Sequence, residues 1–243
     1  MTPTLISDSM IVAYKEWREW FARRARPGWL GLFLLLVVWS MAAPFALRYV
    51  AAGSMLMVLL WLSLPMAISG VVVADSFAGE RERQTLETLL TSRLSDHAIV
   101  IGKITAVAVF AAALLVLDLV PGIIVVAAGA AGPAIALNAG RLVFWALVIG
   151  LPLVALVISA GALFSLYAYT ARQSFLLIVA FVGALLLSSA GLVVWAAGRP
   201  MVDTILPVPG AHISSLAVLI IVDALMLAWL MGCAHRTRLL ALG

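Results

Sequence analysis

The sequence predicts an all-α polytopic membrane protein: six transmembrane helices behind a charged, amphipathic N-terminal helix. Three observations predict it. Apolar residues make up 65% of the 243-residue chain and charged residues only 11%, whereas a soluble domain has about 45–50% and about 25%. Mean hydropathy is +1.18. Apolar runs recur at the roughly 20 residues that a helix needs to cross a bilayer core. Six such spans take about half the chain, so no large soluble domain fits on either side. The same composition excludes disordered, collagenous and disulfide-rich classes, and the single cysteine, Cys233, allows no internal disulfide.

Residues 1–28 are read as a cytoplasmic interfacial helix and residues 29–243 as the six-span domain. From Ser9 to Arg26 the positions Met10, Ala13, Tyr14, Trp17, Trp20, Phe21 and Arg24 recur at helical spacing. Asp8 or Ser9 is placed to cap this helix, with its bases near the C-terminal end, as the helix dipole prefers. The expected position is the cytoplasmic headgroup plane, aromatics down and bases toward anionic lipid. This is not a cleavable signal sequence, because its first apolar run follows a long charged segment and is long enough to span.

The spans follow in order. The first runs from Trp29 to about Leu47 and the second from about Met55 to Ala74, with Pro65 inside. The third starts at Ile104 and is read to about Val126, with Pro121-Gly122 as a break and an external or re-entrant segment after it. The last three run from about Leu142 to Tyr167, Phe175 to Trp195 and Ile213 to Cys233. A seven-span alternative would make residues 122–137 an extra span. In the six-span reading, Arg48, Arg141 and Arg199 are the only outer ones of the 15 basic residues. The positive-inside rule then puts both termini in the cytoplasm. The seven-span alternative moves Arg172, Arg236 and Arg238 outside and Arg141 and Arg199 inside, so charge leaves it open. The net charge of +4 reads as topology rather than nucleic-acid binding.

The charged loop after the second span carries the most information. It holds Asp75, Glu80, Glu82, Glu87 and Asp96 together with Arg81, Arg83 and Arg93. Leu86, Leu89 and Leu90 have helical spacing, and Arg83 and Glu87 are four apart, so they can pair on a helix surface. Ser95 is placed to cap the helix that becomes the third span, with Asp96 in its first turn. The loop therefore reads as helix, break, helix. It is either a docking surface for a soluble partner or a solvated hairpin.

A resemblance favours docking. The string GERERQTLETLLTSRLSDHAIVIGK resembles the loop of ABC-2 type permeases, the membrane subunits of a class of ATP-binding cassette exporters. Gly79, Glu80, Arg81, Glu82, Thr85, Leu86, Glu87, Leu89, Leu90, Ser95, Gly102 and Lys103 match that pattern. Gln84 stands where the family usually has Gly, and Ser92-Arg93 replaces Thr-Pro. The resemblance implies a cytoplasmic coupling helix within loop 76–103, seated in a groove of a separate ATPase subunit. It assigns that role to Glu80, Arg81, Glu82, Arg83, Thr85, Leu86, Glu87, Leu89 and Leu90. It also implies a second permease copy, identical or not, and a multi-pass location in a bacterial-type cytoplasmic membrane. ATP and Mg would sit on the partner, and this chain would be a non-catalytic subunit. It has no Gly-x-x-x-x-Gly-Lys-Ser/Thr phosphate loop. The cargo would be a lipophilic small molecule, lipid, peptide or ion.

Asp118 and Asp223 lie inside apolar runs. At about 1.5 Å per residue Asp118 stands about 22 Å along the helix from Lys103, in the outer half of the core. An ionisable group there is costly, so both are candidates for a translocation path, with bonding to a neighbouring polar group as the alternative. They are also what an ion- or proton-coupled secondary transporter would use, the competing function. An intramembrane enzyme has less to stand on: the chain has no His-Glu-x-x-His and no Gly-x-Ser-x-Gly. Met226, Met231, Cys233 and His235 read as helix packing rather than a metal site, since Cys233 points away from the face of Met231 and His235. Ala180, Ala184 and Ser188 form a small-residue row suited to close helix packing.

Overall fold

The computed structural model describes residues 5–23, 26–47, 55–83, 94–128, 133–168, 170–197 and 209–233. Among them there is no strand. Seven long helices follow one another: α1 (Leu5–Arg23), α2 (Arg26–Leu47), α3 (Met55–Ala74), α4 (Asp96–Ala128), α5 (Pro133–Tyr167), α6 (Ala171–Ala197) and α7 (Pro209–Cys233). α3 continues through a π-helical turn, Asp75–Gly79, and one further helical turn, Glu80–Glu82.

Within the described residues five stretches are long and apolar enough to cross a membrane: Met57–Glu82, Asp96–Ala128, Val143–Tyr167, Ala171–Gly191 and Leu216–Cys233. Leu30–Ala43 of α2 is apolar but shorter. Over the described residues the chain is helical, and it is a multi-pass membrane protein.

α3 is the central helix, packed on α2, α4, α5 and α6. Its apolar window is 67% buried, against 17% for those of α6 and α7. Lipid is as apolar as leucine, so close packing rather than water exclusion must hold such helices together. Glycine supplies the close approach. A Cβ on Gly122 of α4 would lie 2.6 Å from the Trp61 indole of α3. Outward, α2 and α7 present Leu34, Val38, Ile221, Leu225 and Trp229, a surface that only hydrocarbon would solvate well.

Three expectations are corrected. α4 runs through Pro121 to Ala128 without a break. Proline disturbs the ladder, but a neighbouring helix can re-satisfy the freed backbone. The carbonyl that Pro121 frees is that of Leu117. One residue on, Ser40 of α2 donates to the Asp118 carbonyl, and the Trp61 indole N–H donates to the Ser40 carbonyl at 3.2 Å, bracing this turn of α4 against α2 and α3. α5 then starts at Pro133, so the described part of 122–137 belongs to the ends of two helices and holds no extra span. Finally, α1 begins by Leu5 with Asp8 already in its first turn, so neither Asp8 nor Ser9 is its cap. The Ser95 cap does form: its hydroxyl accepts the Ala98 N–H at 3.2 Å.

Candidate functional site

The site grows from a defect in α3. At the end of that helix the Ser165 hydroxyl of α5 inserts into the backbone ladder. It donates to the Ala74 carbonyl at 2.8 Å and accepts the Ala78 N–H at 2.9 Å. Those two groups would be helix partners, so the ladder opens into a π turn, the usual result of such an insertion. The Glu80 N–H turns to the Phe77 carbonyl, and the Ser76 carbonyl accepts from Lys103 instead, at 2.7 Å.

Lys103 of α4 is the centre of a buried charge cluster. Its side chain is 0% exposed, and its ammonium lies 2.8 Å from Glu16 of α1 and 2.9 Å from Glu80. The ammonium donates to Glu16 and to the Ser76 carbonyl, and Glu80 adds an ion pair by proximity. The Phe77 ring covers it at 5.3 Å, a further favourable contact for a cation. Lys15 of α1 pairs with Glu80 at 3.5 Å and with Glu19 at 3.3 Å. Burial lowers the Lys15 affinity for its proton, but Glu80, Glu16 and Glu19 outweigh it and hold the ammonium above its ordinary range. Charges out of water are tolerated only when paired.

The next two residues after Glu80 are also bonded to neighbouring helices. The Arg81 guanidinium donates to the Ala168 carbonyl at 2.7 Å and the Leu166 carbonyl at 3.1 Å. These belong to the end of α5, where carbonyls lack helical partners and a cation complements the dipole. Glu82 accepts the Ala171 N–H at 2.8 Å, at the start of α6. That start is also capped by Thr170, whose hydroxyl accepts the Gln173 N–H at 3.1 Å. Arg83 pairs with Asp75 at 3.1 Å, and its other expected partner, Glu87, is not among the described residues. Glu80, Arg81 and Glu82 thus root the loop on α1, α4, α5 and α6. Thr85, Leu86, Glu87, Leu89 and Leu90 lie outside the described residues.

α1 is held on this cluster by shape as well as charge. It runs along the first turns of α4 in the same chain direction. A Cβ on Gly102 would lie 2.6 Å from the Ser9 carbonyl oxygen and from Val12 Cβ. Further along, the Trp17 indole N–H donates to the Ala106 carbonyl at 3.0 Å, and the Trp20 ring meets Phe110 at 5.7 Å. The expected arrangement, with all aromatics toward lipid and all bases toward headgroups, is therefore revised. Met10 and Tyr14 are exposed, Trp20 is turned onto α4, and Lys15 points into the cluster. Sequence reasoning missed Glu16. The signal was there: Asp8, Val12, Glu16 and Trp20 fall four apart, on the face opposite Met10 and Tyr14.

No hydrogen bond joins the two acids inside the helices. Asp118 is 0% exposed and neither carboxylate oxygen has a hydrogen-bond partner. Asp223 is buried, with Oδ1 unpartnered. Cys233 packs with its sulfur 3.3 Å from the Tyr167 hydroxyl, tying the ends of α7 and α5. A scan of the chain against protein-family models finds no match, and a search of curated proteins finds no relative.

Burial holds the Glu16 carboxyl above its ordinary range, against the opposing pull of Lys103. The folded chain therefore takes up a proton at Glu16 more readily than the unfolded chain. The resulting stabilisation is complete below the ordinary carboxylate range and is lost as pH rises through the raised value. Glu16→Gln removes that dependence. Paired melting curves from about pH 4 to about pH 8 are expected to show the variant gaining on wild type as pH rises. A constant difference across that window would contradict the raised value.

Proposed function

We propose that this chain is the membrane-spanning subunit of an ATP-driven exporter, with α2 to α7 as six spans and both termini cytoplasmic. α1 is its interfacial helix and residues 84–91 carry the coupling helix. The observation that carries this reading is the rooting of the loop. Glu80, Arg81 and Glu82 bind α1, α4, α5 and α6 directly, so a push on the segment beyond them reaches most of the bundle. A solvated hairpin has no need of such an anchorage. The engine is a separate ATPase subunit that brings its own ATP and Mg, and a second permease copy completes the path. Ala180, Ala184 and Ser188 are exposed on α6 and suit packing against that copy.

The inward contacts decide which variants test the partner. Reversing Glu80 or Glu82 would break bonds inside the chain, so the clean positions are Glu87 and Leu89. Glu87→Lys with Leu89→Glu is expected to reduce co-purification of a nucleotide-hydrolysing partner at least ~10-fold, since loss of a central docking residue costs about 2 kcal/mol or more. Full retention, with an unchanged melting curve, would sink the coupling role. A second reading has one observation in its favour: the buried, unpartnered carboxylate of Asp118 suits an ion- or proton-coupled transporter working with Asp223. Transport by the chain alone, driven by an ion gradient and lost in Asp118→Asn, would favour it.

A further inference from the structure

A cavity of about 470 Å³ opens beside the charge cluster, where α1, α3, α4 and α6 meet. Its size falls within the usual range for sites that take small molecules. Its walls are of two kinds. Val72, Trp20, Phe110 and Phe175 make most of it apolar, while Asp75, Arg83 and Arg172 are its charged lining. Arg83 is already paired with Asp75 at 3.1 Å. Arg172 is exposed and has no ion-pair or hydrogen-bond partner among the described residues. Among the described lining residues there is therefore one cation more than the site neutralises itself, next to an apolar recess that these side chains leave unfilled.

We propose that this cavity binds a singly charged anionic phospholipid, its phosphate between Arg172 and Arg83 and part of an acyl chain against Phe110, Phe175 and Val72. The charge calls for one anion, and the walls call for a hydrocarbon attached to it. A free phosphate satisfies only the first demand and a zwitterionic lipid only the second. Basic pockets between helices at the end of a membrane bundle take anionic headgroups for this reason. The lipid joins α1 to α6, which are otherwise linked through Glu80 and Glu82. This holds whether or not an ATPase partner exists.

The test uses the purified, delipidated full-length chain in detergent micelles, with bound lipid counted by native mass spectrometry. Phosphatidylglycerol, phosphatidylcholine and inorganic phosphate are the three probes. Wild type is expected to retain one phosphatidylglycerol in preference to phosphatidylcholine, and Arg172→Gln to weaken it about five- to tenfold. Val71→Phe, which narrows the recess, is expected to weaken it as well. Arg172 is exposed and Val71 half-buried, so both variants are expected to fold, which a melting curve confirms. Equal retention of both lipids, or an Arg172→Gln variant that binds as wild type does, would overturn the site. An effect of Arg172→Gln but none of Val71→Phe would mean a surface headgroup contact with no chain in the cavity. Displacement of the lipid by millimolar phosphate would mean a soluble-anion site. Either result overturns the proposal.

Discussion

Lys103→Met is expected to be the most damaging single change in the chain. It keeps the length of the side chain but leaves the carboxylates of Glu16 and Glu80 buried without the ammonium that lies 2.8 and 2.9 Å from them. Breaking one side of a buried ion pair costs about 3–5 kcal/mol, because a charge stays behind without compensation. For a chain of this size that is a fall in thermal midpoint on the order of 10 °C. Replacing all three members, with Glu16→Met and Glu80→Met added, is expected to recover most of the loss, since a buried ion cluster and an apolar one of similar volume are often close in stability. Lys15 keeps Glu19 at 3.3 Å in that variant. The comparison is made by thermal unfolding of the three proteins in one detergent. A single variant that melts with wild type, or a triple variant that melts with the single one, would contradict the cluster.

Gly102→Leu is expected to pry α1 off the bundle. The first added carbon would already stand 2.6 Å from a backbone oxygen and from a Cβ, neither of which can swing aside as a long side chain can. Overpacking of this kind costs about 1–3 kcal/mol. Moving α1 also pulls Glu16 away from Lys103, so the cost approaches that of the first variant. Hydrogen exchange is the informative readout. Amides of residues 5–23 are expected to lose most of their protection while the core of α3 keeps its own. Unchanged protection in α1 would show that the helix is not held at Gly102.

These effects explain which parts of the fold can be read from sequence. The long helices are legible because hydrocarbon tolerates little else: a run such as Phe175 to Trp195 has one stable form in a bilayer. The Ser95 cap is legible because a cap is a local event, a hydroxyl three residues from the N–H it accepts. The fate of Pro121 was not legible. The local rule says break, but α4 continues to Ala128, braced at the turn before the proline by Ser40 from another helix. The direction of Glu80 to Glu82 was hidden for a similar reason. A run of alternating charges looks the same whether it faces water or protein. What turns it inward is Ser165, far along the chain, opening the ladder between Ala74 and Ala78. The adjacent pair Gly102-Lys103 stood out only as a matching pattern. In three dimensions the two residues act differently, since the glycine admits α1 and the lysine neutralises what α1 brings.

The loop beyond Arg83 carries the claim on which the functional reading rests, and one cross-linking measurement tests it. With Cys233→Ser removing the only native thiol, a cysteine at position 89 is placed in the full complex within native membranes and treated with a short thiol-to-amine cross-linker. The expected result is a covalent adduct to a nucleotide-hydrolysing subunit, with a yield that changes when ATP is added. A cysteine labelled by a membrane-impermeant reagent from outside the cell, or one that joins to no other polypeptide, would contradict the loop as an intracellular lever.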